Sequence, residues 1–275
     1  MLYQLIKPSP QLQSFIKEYM LLHFEFDNRQ PPPIKPFPVR PQQTLVFYLK
    51  GGINAFNPET KDIKRFPKIA INGSQVRRYD FQLEHSQMML SVDFQPGGLS
   101  KFLQMPLNEE FIDERIDAEA LLNPEISNVY EQMLNADSYS HIIEIVEAYL
   151  WRRIQRYNIV FQKIDQTHLL IAQQPTAYSI EKLANFACLS VSQFERRFKQ
   201  QIGISPKLFA RINRFYKAFI LKDQNPNLDW LSIALQTGYN DYQHLVKDFK
   251  QFAGATPNSL LQAHATAPER ILGLG

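Results

Sequence analysis

The run Ser190-Val-Ser-Gln-Phe-Glu-Arg-Arg-Phe-Lys199 is answered 51 residues later by Asp241-Tyr-Gln-His-Leu-Val-Lys-Asp-Phe-Lys250. Gly203, Ser205 and Pro206 follow the first run, and Gly254, Thr256 and Pro257 follow the second at the same offset. Upstream, Leu183-Ala184 and Ile233-Ala234 match at an offset of 50, so the turn in the second copy is one residue longer. Similarity at a fixed offset means two copies of one supersecondary unit.

Each unit spells out its own boundaries. Ser190 and Asp241 are N-cap residues, whose side-chain oxygens accept from the unpaired amides of a first helical turn. Phe194 and Phe198 lie four apart on one helix face, as do Leu245 and Phe249. Gly203 and Gly254 supply a left-handed stop. Ser205-Pro206 and Thr256-Pro257 open the next helix, with proline where no amide partner is needed. Ser179 caps a short helix ending near Ala187, and short helix, tight turn and capped second helix make a helix-turn-helix.

Opposite Phe194 and Phe198, the first capped helix carries Ser192, Arg196 and Lys199, flanked by Gln193 and Gln200. The second carries Gln243, Lys247 and Lys250, flanked by His244 and Gln251. Neither central row contains an acid, and both are rich in groups that hydrogen-bond base edges or phosphates. Between the units, Pro206 to Lys222 reads as one amphipathic helix. Leu208, Phe209, Ile212, Phe215, Tyr216, Phe219 and Ile220 lie on one side, and Lys207, Arg211, Arg214 and Lys222 on the other. Such a helix rises roughly 25 Å, enough to hold two units near the spacing of successive major grooves, roughly 34 Å.

These residues resemble the AraC/XylS family of bacterial transcription regulators. The stretch Gly238-Tyr-Asn-Asp-Tyr-Gln-His-Leu-Val-Lys-Asp-Phe-Lys-Gln-Phe-Ala-Gly-Ala-Thr-Pro257 is similar to the family's signature almost end to end. The resemblance covers roughly His168 to Gln262. It implies DNA reading through Ser192, Glu195 and Arg196 in the first motif and Gln243, His244 and Lys247 in the second. The helical wheel adds Gln193, Lys199 and Lys250 as candidate DNA contacts and places Glu195 on a flank. There a carboxylate accepts from a cytosine amino group or pairs with Arg196 or Arg197, and both readings stay open. One departure stands out: Cys188 occupies a turn position where many members, and the second unit at Gly238, have glycine. A left-handed backbone there would strain a cysteine.

The formal net charge of the 275-residue chain is only +3, an average over opposites. Residues 168–275 carry +5, residues 1–105 carry +5, and Met105 to Leu150 carries −10 with Arg115 as its one base. One cysteine excludes an internal disulfide framework and fits a reducing cytosol. No basic segment leads into an apolar one at the start, and no apolar run approaches the roughly 20 residues of a membrane span. A cytoplasmic protein, with no membrane partner, is expected.

Residues 1–100 read as β-rich. Thr44–Leu49, Lys68–Asn72 and Met88–Phe94 are short runs rich in β-branched and aromatic residues, bounded by Gly, Pro or Asn. The prolines at 31, 32, 33, 36, 38 and 41 predict an extended loop leading into the first strand. Gly51-Gly52 and Pro96-Gly97-Gly98 mark turns. Ile142, Ile145, Val146, Tyr149, Leu150 and Ile154 recur at helical steps, on helices that dock on the sheet or pair with a second copy of the chain. Phe24, Phe26, Phe47, Tyr48, Phe56, Phe66, Tyr79, Phe81 and Phe94 would wall either a ligand pocket or a plain core.

The expected fold is α+β. Residues 1–105 form a β-rich, cupin-like sensor or dimerisation domain, 106–167 an acidic helical connector, and 168–275 an all-α domain of two helix-turn-helix motifs joined by a long helix. The expected function is sequence-specific DNA-binding transcription regulation, with activation set beside repression. Double-stranded DNA is the expected partner, and the resemblance allows a small-molecule effector, RNA polymerase and a homodimer. Two alternatives remain. One is a DNA-binding protein without an effector, and the other a metal- or sugar-binding cupin-like enzyme. For the enzyme the six histidines, His23, His85, His141, His168, His244 and His264, lack the paired spacing of a metal site, although His23 and His85 could meet near Glu25 or Glu84. No nucleophile elbow, nucleotide loop or zinc motif is present, so no catalytic residue, cofactor or metal is assigned.

Overall fold

A computed structural model describes residues 1–275 other than 28, 30, 31, 33, 59, 123, 268, 269, 271, 272, 274 and 275. An antiparallel β-rich front is followed by a helical region, the α+β order expected from the sequence. The strands are β1 (Leu2–Ile6), β2 (Ile16–Glu25), β3 (Ile34–Phe37), β4 (Thr44–Lys50), β5 (Ile53–Phe56), β6 (Ile63–Arg65), β7 (Ile69–Asn72), β8 (Tyr79–Leu83), β9 (Ser86–Phe94) and β10 (Arg115–Asp117). A six-stranded sheet runs β1-β2-β9-β4-β7-β10 and a four-stranded sheet runs β3-β8-β5-β6.

Side-chain alternation divides the large sheet's two faces. Leu21, Leu45, Phe47, Leu90 and Val92 point outward and pack under helices α3 (Pro124–Leu134) and α4 (Tyr139–Arg156). Their neighbours Leu22, Phe24, Val46 and Tyr48 point inward, toward Ile53, Phe66, Phe81 and Leu83 of the small-sheet layer. The acidic stretch therefore docks on the sheet: β10 pairs with β7, and the Tyr130 hydroxyl donates to the Tyr48 carbonyl at 2.7 Å.

The proline-rich segment departs from the expected loop. Ile34–Phe37 forms β3, with Pro36 opposite Asp80. Proline lacks a ladder donor, and β3 is an edge strand, where that loss is tolerated. Neither is Thr44 the start of the first strand, since β1 and β2 precede it. Pro31 and Pro33 lie outside the described residues.

The helical region comprises α5 (Lys163–Gln173), α6 (Ile180–Phe186), α7 (Val191–Ile202), α8 (Pro206–Gln224), α9 (Trp230–Gln236), α10 (Tyr242–Ala253) and α11 (Pro257–Ala265). Helices α1 (Gly98–Leu103) and α2 (Ala118–Leu122) belong to the front. Helix α5 runs across residue 168, and its Ile164 and Ile171 join the core of the helical region. Gly97, at φ 83°, sits against that helix, where a Cβ would come 2.7 Å from His168 Nδ1. His168 is fully buried, edge-on to Phe198, and burial pulls its imidazole down to about 3, so it is neutral. Lys101 of α1 pairs with the buried Asp165 of α5 at 2.9 Å. Among the described residues no helix is long and apolar enough to cross a membrane.

Candidate nucleic-acid interface

The caps read from the sequence form as written. Ser190 Oγ accepts from the Gln193 amide at 3.3 Å, while Gln193 Oε1 accepts from the Ser190 amide at 3.1 Å, closing a capping box. Asp241 accepts from the His244 amide at 2.8 Å. Gly203 (φ 92°) and Gly254 (φ 58°) end α7 and α10 in the left-handed region. Ser205 and Thr256 cap the helices that Pro206 and Pro257 open. The turn from α6 to α7 spans 187–190 and that from α9 to α10 spans 237–241, the predicted extra residue.

Behind both capped helices lies α8. Its Phe209 meets Phe198 of α7 with ring centroids 5.7 Å apart, and its Phe215 meets Phe249 of α10 at 4.8 Å. At 19 residues, α8 rises about 28 Å. Phe194, Phe198, Leu245 and Phe249 are fully buried, which fixes the opposite faces outward.

Ser192, Gln193, Glu195, Arg196 and Lys199 on α7, and Gln243, His244, Lys247 and Lys250 on α10, are all exposed. Their engagements differ. Among the described residues the side chains of Glu195, Arg196, Gln243, Lys247 and Lys250 have no hydrogen-bond or ion-pair partner. Glu195 thus makes no surface pair with Arg196 or Arg197. Gln193 is occupied by its capping box, and His244 Nδ1 lies 2.8 Å from Asp241 Oδ2. Lys199 reaches back to Glu109 of the front at 3.3 Å. Gln251, a flank in the sequence, accepts from Arg211 Nη2 at 2.7 Å.

Sequence reasoning set Arg211 and Arg214 on the open side of α8, and the structure corrects this. Both bond Asp248 of α10, at 2.6 and 3.1 Å. The Tyr239 hydroxyl donates to the same carboxylate at 3.0 Å, and Arg214 stacks on the Tyr239 ring at 4.0 Å. Burial beside the Asp248 carboxylate pushes the Tyr239 phenol well above its ordinary range. Asp248 stands where the first unit has the exposed Arg197. An acid on an otherwise basic helix, nine residues after a tyrosine, was the signal available.

A second contact set was not legible at all. The Gln43 side-chain amide and the Ser74 hydroxyl both donate to the Ile202 carbonyl, at 2.7 and 2.5 Å. The Leu107 amide donates to the Gln200 carbonyl at 2.7 Å. At the end of α10, the Val39 amide donates to Phe252 and Arg78 Nη1 to Ala253, at 3.0 and 2.9 Å. The front thus satisfies the C-terminal carbonyls that a helix leaves unpaired, on both outward-facing helices.

Cys188 has φ 57°, the left-handed conformation that Gly238 also adopts at 83°. A Cβ on Gly238 would come 2.7 Å from Thr176 Oγ1, whereas Cys188 is on the open surface with Lys163 Nζ 3.6 Å from its sulfur. Cys188→Gly is expected to stabilise the chain by about 0.5–1 kcal/mol, the relief of left-handed strain less the added unfolded-state freedom. A urea melt showing a lower midpoint would refute that.

In the front, His23 Nδ1 lies 2.7 Å from the Tyr139 hydroxyl. Among the described residues no group of three or more His, Cys, Asp or Glu side chains is placed to hold a metal ion.

Residues 183–263 match a family model described as a helix-turn-helix domain, and residues 4–117 match one described as a domain of unknown function (DUF6597). Over 133 residues the chain is 31% identical to an uncharacterized HTH-type transcriptional regulator of Haemophilus influenzae, covering 44% of this chain and 43% of that one. Over 148 residues it is 25% identical to the arabinose operon regulatory protein of Escherichia coli, covering 49% and 50%. The chain spans half or less of the length of these relatives. Among solved structures, ToxT from Vibrio cholerae aligns over 89% of this chain and 98% of its own at 10% identity, with a TM-score of 0.49.

Proposed function

From the premise that residues 183–263 match a helix-turn-helix domain, we propose that the chain is a sequence-specific, double-stranded-DNA-binding transcription regulator of the AraC type, acting in the bacterial cytoplasm. The observation that carries this reading is the pair of outward helix faces. Arg196 on α7 and Gln243, Lys247 and Lys250 on α10 are exposed and unpartnered. Both helices are held from behind by one helix, α8. In this mechanism α7 and α10 enter successive major grooves. Ser192, Glu195 and Arg196 read bases from α7, and Gln243, His244 and Lys247 read them from α10. Gln193, Lys199 and Lys250 then hold phosphate or flank the groove.

We divide the chain into a sensor or dimerisation domain at 1–105, an acidic helical stretch at 106–167 and the DNA-binding domain from 168, a boundary that α5 (Lys163–Gln173) crosses. Its curated relatives are named as an HTH-type transcriptional regulator and an operon regulatory protein, and the chain is given no catalytic role. RNA polymerase and a second copy of the chain are the protein partners this reading allows.

The test is duplex binding as a function of salt, using sites selected from a random library. Affinity should fall linearly on a log–log plot with salt, and Lys250→Ala should reduce the slope by about 1 while weakening all sequences alike if it holds phosphate. A chain with no salt-dependent duplex binding would end the proposal.

A further inference from the structure

The third residue of each outward helix is gripped by its own N-cap, and the two grips leave opposite chemistry free. Gln193 on α7 and His244 on α10 occupy equivalent positions, 51 residues apart. Each follows its cap, Ser190 or Asp241, by three residues. Both therefore lie in the first turn, the part of a recognition helix that contacts base edges.

On α7 the main chain of the cap does the holding. The Ser190 amide can only donate, and it reaches the Gln193 side chain at 3.1 Å, so the atom it meets is Oε1. The free end of Gln193 is the NH2 group, a donor without a partner among the described residues. A donor suits a phosphate oxygen, O6 or N7 of guanine, or O4 of thymine.

On α10 the side chain of the cap does it instead. Asp241 Oδ1 accepts from the His244 amide at 2.8 Å, a bond that holds the carboxyl below its ordinary range and so keeps it ionised. Its other oxygen, Oδ2, lies 2.8 Å from His244 Nδ1. A carboxylate has no proton to give, so Nδ1 carries the hydrogen. In the neutral ring Nε2 is then a bare acceptor. The side chain is 54% exposed, and among the described residues Nε2 has no partner. A phosphate offers only acceptor oxygens and cannot satisfy it. In the major groove the groups that can are amino groups, N4 of cytosine and N6 of adenine.

We propose that Asp241, besides capping α10, is a positioning residue for recognition: it fixes the ring of His244 so that Nε2 accepts from the amino group of a cytosine or an adenine. This rests on the DNA-reading assignment above and names the base chemistry that assignment leaves open. The matching point on α7 cannot do the same, because a serine cap has no anion to orient a ring and Gln193 presents a donor. Two copies of one motif thus ask for opposite groups at equivalent points.

The test uses the full chain at pH 8 and a duplex selected from a random library. Each position is exchanged between cytosine and thymine, or between adenine and guanine, which swaps an amino group for a carbonyl on that strand. At one position the chain should favour the amino base by about fivefold, the worth of one neutral hydrogen bond. His244→Ala should erase that preference and leave the others. Asp241→Asn keeps an equally good cap but turns an N–H toward Nδ1, which moves the ring proton to Nε2. The preference at that position should then turn toward the carbonyl base, while affinity for duplexes in general does not fall, since a negative charge has left the binding face. A purely structural cap would predict no such reversal.

Three results overturn the assignment: no position relaxed by His244→Ala, a carbonyl base favoured by the unaltered chain at the relaxed position, or an unchanged preference in an Asp241→Asn chain whose urea midpoint shows it folded. In each of these duplex binding survives and the regulatory reading stands. A chain with no salt-dependent duplex binding loses both.

Discussion

Asp248→Ala is expected to destabilise the helical region by about 3 kcal/mol, near the lower end of the range for breaking a buried ion pair. Asp248 is almost wholly buried and receives Arg211, Arg214 and the Tyr239 hydroxyl. Removing it leaves two guanidinium groups facing each other without a counter-charge. The loss stays at the lower end because the two arginine side chains are 34% and 23% exposed and recover some hydration. Asp248→Asn keeps an acceptor and should cost about half as much. Chemical denaturation followed by circular dichroism gives the number, and a change below about 0.5 kcal/mol, the range of ordinary surface substitutions, would show that the network contributes no stability. Because Asp248 ties α10 to α8, duplex affinity should fall in parallel.

Arg196→Ala carries the second large effect, on recognition instead of stability. Its side chain is exposed and unpartnered, so little stability should be lost. If it reads a base, duplex affinity falls by about 1–3 kcal/mol and preference relaxes at one base pair. Competition among single-base variants of a selected site separates the outcomes. Uniform weakening across all variants would demote Arg196 to a phosphate contact, and unchanged binding would remove α7 from the interface.

The helical half of the chain was legible because its rules are local. Caps, left-handed glycines and the Phe194–Phe198 spacing each depend on neighbours within one turn, and the 51-residue offset checked every one of them twice. In the front, the strands around Thr44, Ile69 and Met88 announced themselves by continuous apolar runs, since both their faces are covered. Strand β2 was missed because Lys17, Glu18 and Glu25 interrupt its apolar pattern, and β3 because Pro36 argues against any strand except an edge. The inward face of the front was legible only in part. Phe24, Tyr48, Phe66 and Phe81 were among the aromatic candidates, but so were Phe47 and Phe94, which the pleat turns to the opposite face. Arg115 registered only as the single base of an acidic stretch. Its place over the Phe66 and Tyr79 rings comes from the pairing of β10 with β7, a long-range fact. The bonds from Gln43, Ser74 and Arg78 were invisible for a different reason: their acceptors are peptide carbonyls, which every residue possesses.

That last property bears on how such a chain can change over generations. The front grips α7 and α10 through main-chain oxygens at their ends, so the grip is indifferent to which side chains occupy the outward faces. On the proposed reading, substitutions at positions 192, 196, 243 or 247 would retarget the protein to new duplex sites without disturbing how α7 and α10 are held. The means of attachment can be inherited unchanged while the vocabulary drifts.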